Sequence, residues 1–184
     1  LQPRVQEAYL EEQTDPGLFK LMGRAGLLGV TLPEKYGAAG ANYVSYGLVA
    51  REVERVDSGY RSMMSVQSSL VIYPISTYGS DALKAKYLPR LTSDTIGAYA
   101  LSEPSSGSDA FGLQSRAEQR GDKWILTGRK MWITNGAEAG IFVVFANANP
   151  SAGYKGITAF VIEKGFPGFS VGKKEDKMGI RASS

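Results

Sequence analysis

Through the first half of the chain, apolar residues recur at three- and four-residue spacing. Through the second half they come in short β-branched and aromatic bursts between glycine-rich turns. Asp15-Pro16 is a cap followed by a first-turn proline. Leu18, Leu21, Met22 and Ala25 follow on one helical face, with Gly26 and Gly29 as stops. A loop through Thr31–Gly40 precedes Asn42, which caps a second helix with the stripe Val44, Leu48, Val49, Val53 and Val56. Its other face carries Arg51, Glu52, Glu54 and Arg55. Asp57-Ser58-Gly59 leads into a third helix holding Met63, Met64, Val66, Leu70 and Val71, which Pro74 is expected to break or kink. Ser80-Asp81 opens a fourth, with Leu83, Tyr87 and Leu88, expected to end at Pro89.

From Ile96 the period changes. Ile96 to Leu101 reads as a strand, and Leu113–Gln119 and Lys123–Thr127 flank a hairpin turn at Arg120-Gly121-Asp122. Lys130–Thr134 reads as a strand before the Asn135-Gly136 turn. Ile141–Ala146 and Ile157–Glu163 are strong strand candidates and Phe169–Gly172 a weaker one. The pattern predicts an α+β protein: an amino-terminal all-α domain over residues 1–94, then a β-domain over residues 95–184.

Composition narrows the chemistry. With 43% hydrophobic and 21% charged residues, the chain has the makeup of a globular protein, and 184 residues bury a sizeable core. The net charge of +3 is spread rather than clustered, which argues against a nucleic-acid surface. No apolar run is long enough to span a bilayer. The start, Leu1-Gln2-Pro3-Arg4, is neither a signal peptide nor an initiator Met, so the natural amino terminus is expected upstream. There is no Cys and no His. Thiolate chemistry, the Ser-His-Asp triad and the usual zinc sites are therefore excluded. Acid–base work falls to carboxylates, Lys or Tyr, and redox chemistry needs a bound cofactor.

Four stretches carry candidate chemistry, each with a plain structural alternative. Tyr99 to Ser108 runs from an apolar strand into a loop rich in Ser, Gly and Pro, either a solvated turn or a donor-rich ligand loop. In Met131-Trp132-Ile133-Thr134, strand alternation sends Trp132 and Thr134 to one face, where they would meet either the sheet core or a planar ring. Glu54, Arg61, Ser62 and Ser65 flank a helix junction; Arg61 either receives a carboxylate or pairs with Glu54 to pin two helices. Tyr154-Lys155-Gly156 is either a turn or a grip on a phosphate-bearing chain. Arg120-Gly121-Asp122 matches an adhesion tripeptide, and turn chemistry already accounts for it.

The order of these pieces resembles the acyl-CoA dehydrogenase flavoprotein family. A helical half, then Tyr99-Ala-Leu-Ser-Glu-Pro-Ser-Ser-Gly-Ser-Asp109, then Gly128-Arg-Lys-Met-Trp-Ile-Thr-Asn-Gly136 carries the likeness. By that resemblance the chain corresponds to the helical domain and most of the middle, antiparallel β-barrel-like domain. The carboxy-terminal helical domain, and the glutamate base it carries, are absent, so no catalytic residue is assigned here. The resemblance implies an FAD site made by Tyr99, Leu101, Ser102, Gly107, Ser108, Trp132, Ile133 and Thr134. Leu101 and Ser102 would meet the flavin's pyrimidine edge, Ser108 the pyrophosphate and the CoA portion. Trp132 would lie along the isoalloxazine, and Thr134 beside its hydride-accepting nitrogen. Ser102 stands where the family often has Thr, and keeps the hydroxyl.

Ala50-Arg-Glu-Val-Glu-Arg-Val-Asp-Ser-Gly-Tyr-Arg-Ser62 resembles glutaryl-CoA dehydrogenase, which implies that Arg61, Ser62 and Ser65 receive a distal carboxylate, with Glu54 part of the same polar cluster. From Trp124 onward, Ala146–Thr158 and Lys177–Ser184 resemble short/branched-chain acyl-CoA dehydrogenase, where Tyr154 would contact the CoA side. The implied activity is α,β-dehydrogenation of an acyl-CoA with hydride transfer to flavin. The implied partners are an electron-transfer flavoprotein or another acceptor, in a homotetramer when full length, with no nucleic acid and no membrane insertion. The implied location is the mitochondrial matrix in a eukaryote and the cytoplasm in a bacterium. Rival readings are a non-catalytic flavin- or CoA-binding subunit and a plain α+β interaction domain.

Overall fold

The computed structural model describes residues 1–184. Six α-helices precede five strands: α1 (Gln2–Leu10), α2 (Pro16–Arg24), α3 (Tyr43–Glu54), α4 (Ser58–Ser65), α5 (Tyr73–Tyr78) and α6 (Asp81–Ser93), then β1 (Gly97–Ala100), β2 (Arg116–Arg120), β3 (Lys123–Thr127), β4 (Ile141–Asn147) and β5 (Ile157–Glu163). The capping residues work as read. Asp15, Asn42, Asp57 and Ser80 each accept a hydrogen bond from a first-turn N–H, at 2.8, 2.9, 3.1 and 3.3 Å. Helix α1 had no sequence signal of comparable strength, and no acidic cap marks its start.

Neither proline breaks its helix. A π-helical turn over Val66–Ile72 joins α4 to α5, and Pro74 sits in the first turn of α5, where its missing N–H costs little. Helix α6 continues through Pro89 to Ser93 because Leu88, Leu91 and Thr92 on its inner face are buried. The carbonyl freed four residues back belongs to exposed Ala85, which faces water.

The sheet corrects the antiparallel, barrel-like expectation: it is open and mixed. β4 lies antiparallel to β5 along its full length, from Ile141↔Glu163 to Asn147↔Ile157. On its other edge β4 is parallel to β1, with Gly97↔Ile141 through Ala100↔Val144, and meets β2 at Arg116↔Asn147. The reason is the route of the chain: between Ala100 and Ile141 it makes a long excursion, the β2–β3 hairpin included, and returns running the same way. Strand β2 begins three residues later than expected, and Phe169–Gly172 is irregular.

β4 reads as a continuous apolar run because one face packs on the helices and the other is buried at Phe142. Ile141 and Val143, with Tyr99, Phe145 and Val161 beside them, pack on Val71, Ile72, Ile75, Leu88 and Leu91. Phe142, with Ala98, joins a second cluster containing Leu18, Phe19, Met22, Tyr60, Met63 and Met64. Each cluster draws on helices and sheet together. Buried Gln67 stitches the junction: its amide donates to the Leu91 and Thr95 carbonyls at 2.7 and 2.8 Å and accepts from the Gly97 N–H at 2.7 Å. Gly97 lies so close to the π-turn that a Cβ there would come within 2.6 Å of Val71 Cγ1. Glu163 ties β5 to α6 through Tyr87, Lys86 and Arg90 at 3.1, 2.8 and 3.4 Å.

The last residues fold back on the helices. Thr14 Oγ1 donates to the Ala182 carbonyl at 3.1 Å, Arg181 pairs with Glu12, and Ala182 and Ser183 are buried. No helix is long and apolar enough to cross a membrane.

Candidate functional site: two loops joined at the edge of the sheet

Beyond Ala100, β1 opens into the Ser/Gly loop, and the loop is held by its own bonds. Glu103 and Ser106 exchange backbone hydrogen bonds at 2.9 and 3.1 Å, and Ser106 Oγ donates to the Asp109 carbonyl at 2.7 Å. This tight turn leaves Gly107 and Ser108 exposed, with open space where a Gly107 side chain would stand.

The second loop leaves β3 at Gly128, where a Cβ would collide with Ser115 Oγ at 2.1 Å, so the chain passes tightly against the residue that leads into β2. Lys130–Thr134 is irregular rather than a strand. Trp132 takes a left-handed backbone at φ 58°, which cancels the alternation used to place it with Thr134. Trp132 is nonetheless 73% exposed, an unusual position for an indole. Ile133 packs partly against the core, and Thr134 is half-buried. Asn135 then anchors the turn at φ 66°, fully buried, donating to the Gly97 carbonyl at 3.1 Å and the Met63 carbonyl at 3.4 Å.

The two loops are joined directly. Met131 N–H donates to the Ser102 carbonyl at 2.9 Å, and Lys130 Nζ donates to the Leu101 carbonyl at 3.1 Å and to Glu103 Oε1 at 2.7 Å. Glu103 also accepts from the N–H groups of Gln114 and Ser115, at 2.5 and 3.0 Å. Burial pushes the Glu103 pKa up, but Lys130 and these N–H groups outweigh it and hold it at about 2. Burial pushes Lys130 down, against the pull of Glu103. Leu101 and Ser102 are half-buried, and their N–H groups have no hydrogen-bond partner in the chain.

Beside this junction lies a cleft of about 1270 Å3. Its floor includes Ala100, Phe142, Val144 and Ile162, and its rim includes Lys130, Trp132, Thr134 and Ser62 of α4. Of the residues singled out from sequence, Ser62, Trp132, Ile133 and Thr134 line it; Tyr99, Leu101, Ser102, Gly107 and Ser108 do not. Tyr99 instead packs on Phe145 on the opposite face, ring centroids 5.0 Å apart, and burial raises its pKa. The cleft carboxylates, Glu175 and Asp176, are paired with Lys173 at 3.7 Å and Arg181 at 3.4 Å.

Glu54, Arg61, Ser62 and Ser65 do cluster. Arg61 Nε donates to Glu54 at 2.6 Å and its NH1 to Ser65 Oγ at 3.2 Å; Ser58 Oγ donates to Glu54 at 2.5 Å. The Ser58 hydroxyl and Arg61 lower the Glu54 pKa. Exposed Tyr154 packs its ring on Phe111, centroids 5.0 Å apart and tilted, beside the Ser108 loop; Phe111 carries no sequence signal, since a lone aromatic in a turn forms no pattern. Lys130 and Glu103 were equally unmarked, although two charges inside small-residue and apolar segments were a usable signal.

Free N–H donors at a strand end, a hydroxyl beside them and an exposed indole on the joined loop give this α+β protein a candidate ligand site at its sheet edge. Family comparison makes that class specific. Residues 1–95 match the acyl-CoA dehydrogenase N-terminal domain and residues 98–184 the acyl-CoA dehydrogenase middle domain, so the chain belongs to the acyl-CoA dehydrogenase family. It is 45% identical, over 94% of its length, to a probable short/branched chain specific acyl-CoA dehydrogenase of Dictyostelium discoideum, of which it covers 42%. Its fold matches a glutaryl-CoA dehydrogenase from Mycobacterium smegmatis in complex with FADH2, with a TM-score of 0.93, 42% identity, and 100% of this chain against 46% of that one. Butyryl-CoA dehydrogenase from Megasphaera elsdenii matches with a TM-score of 0.95 and 40% identity, again over 100% of this chain and 49% of that one. The chain thus spans less than half the length of these proteins.

Proposed function

We propose that this chain forms the helical and middle-domain part of an FAD-dependent acyl-CoA dehydrogenase acting on a short acyl-CoA, with residues 1–94 and 95–184 as its two domains. The observation that carries the reading is the joining of the Leu101–Ser102 and Lys130–Thr134 loops by Met131 N–H and Lys130 Nζ, at 2.9 and 3.1 Å. It brings two partnerless N–H donors, the Ser102 hydroxyl and an exposed indole to one edge, a donor set that fits a planar ring with carbonyl and nitrogen acceptors.

FAD, when bound, supplies the hydride acceptor for the β-hydrogen of the thioester. Leu101 and Ser102 would hold the ring through their N–H groups and the Ser102 hydroxyl, Trp132 would cover it with Ile133 behind, and Thr134 would offer its hydroxyl as a hydrogen-bond donor. The open space at Gly107 would leave room for the pyrophosphate, to which the Ser108 hydroxyl would donate, and Tyr154 with Phe111 would flank the CoA side. On the family resemblance the proton-abstracting carboxylate would come from a carboxy-terminal domain outside these 184 residues. An electron-transfer flavoprotein or similar acceptor, a homotetramer of the full-length protein, and a matrix or bacterial cytoplasmic location accompany this reading.

A second reading of the substrate rests on Arg61. Its guanidinium, beside Ser62 and Ser65, suits the distal carboxylate of glutaryl-CoA, with oxidation followed by loss of carbon dioxide. The test of the whole reading is the visible spectrum of the full-length protein. It is expected to purify yellow and to bleach when butyryl-, 2-methylbutyryl- or glutaryl-CoA is added without oxygen. A colourless protein that takes up no FAD overturns it.

A further inference from the structure

Among the ion pairs, Glu103–Lys130 stands alone in being nearly dry, the side chains 3% and 11% exposed, whereas both partners of every other pair are at least a quarter exposed. A buried pair is a poor source of stability, because desolvating two charges offsets most of their attraction. What this pair does is geometric. Lys130 Nζ sits between the Glu103 carboxylate and the Leu101 carbonyl, at 2.7 and 3.1 Å, while Glu103 is itself fixed by the N–H groups of Gln114 and Ser115. The Ser102 carbonyl is taken by Met131 N–H.

In a trans peptide the carbonyl of one residue and the N–H of the next point in opposite directions. With the Leu101 carbonyl turned onto Lys130, the Ser102 N–H must point away from it, on the side where it has no protein partner. We propose that Glu103 and Lys130 are positioning residues that aim the Ser102 N–H at the flavin. Neither donates to the ring; both act through one peptide plane. This rests on the flavin site proposed above.

The test measures FAD affinity and the two-electron midpoint potential of the full-length protein carrying Glu103→Gln, or Glu103→Gln together with Lys130→Met. Removing a nearby negative charge acts through space to raise a flavin potential, because the reduced ring is electron-rich. Loss of an aimed donor acts the other way. In both variants FAD is expected to bind about tenfold more weakly, as for one lost hydrogen bond to an electron-rich group. The potential is expected to become more negative, and circular dichroism to stay that of the wild type. The double variant keeps net charge and leaves no unpaired buried ion, so it remains a test if the single variant fails to fold. An unchanged or more positive potential in a folded variant overturns the positioning role while leaving the flavin site standing. Wild-type protein that binds no FAD overturns the site and this inference together.

Discussion

Arg61 and Glu54 meet at 2.6 Å across the α3–α4 junction, and the same guanidinium reaches Ser65 at 3.2 Å. The pair that pins two helices and the group that would receive a carboxylate are therefore one side chain, with Nε and NH1 engaged. Arg61→Ala in the full-length protein is expected to lower kcat/KM on glutaryl-CoA by about a hundredfold, the loss of one charge-assisted contact. Activity on 2-methylbutyryl-CoA should stay within about threefold, since the exposed pair contributes under about 1 kcal/mol to stability. Steady-state kinetics on the two substrates decides, and equal loss on both would remove the receptor role.

The Glu103 carboxyl has a pKa of about 2 in the fold against an ordinary 4.5. A depressed carboxylate pKa adds stability that is complete above the unfolded value and is lost as pH falls through the folded one. About 3 kcal/mol should therefore disappear between roughly pH 4.5 and pH 2. Lys130, lowered by burial, acts on the alkaline side, where stability from this group rises as pH approaches its ordinary value. Urea unfolding across pH should show a shallower acid slope in Glu103→Gln than in wild type.

Asn135 combines a left-handed backbone with two side-chain bonds to buried carbonyls. Asn135→Gly keeps the backbone and loses the bonds, at a cost of about 2 kcal/mol. Asn135→Ala adds the left-handed penalty, about 1 kcal/mol more. Thermal unfolding should rank them wild type, Gly, Ala; an Ala variant more stable than Gly would contradict the backbone argument.

Gly97→Ala places a methyl 2.6 Å from Val71 Cγ1, where the π-turn crosses β1. Overpacking of this kind costs about 1–3 kcal/mol. Val71→Ala should restore part of it, which a double-mutant cycle measures directly.

Helix caps, the hairpin and the two-faced strand β4 were legible because each rests on local chemistry or on a run of neighbouring residues. The helices past Pro74 and Pro89 were not, since burial of Leu88, Leu91 and Thr92 and a widened turn at Val66–Ile72 are tertiary facts. The parallel pairing of β1 with β4 depends on the route of the intervening chain, which no alternation pattern encodes. Met131-Trp132-Ile133-Thr134 has the composition of a strand, yet its backbone is set by the Ser102 and Gly97 carbonyls that Met131 and Asn135 bond. The motif residues were identifiable by resemblance; the charges of Glu103 and Lys130 stood out in the sequence, but their pairing across the two loops is a tertiary fact.

Both apolar clusters are built jointly from helices and sheet, and Gln67 is wired across the seam. Such a seam does not behave as a hinge. Helix α4, which carries Ser62 and Arg61, and the strand that opens into the edge loop share one packed core, with Asn135 bonding both the Met63 and Gly97 carbonyls. On the acyl-CoA reading proposed above, chain preference should then respond to side-chain volume along that seam. Re-engineering it then calls for trading one rotamer's bulk for another's along the seam.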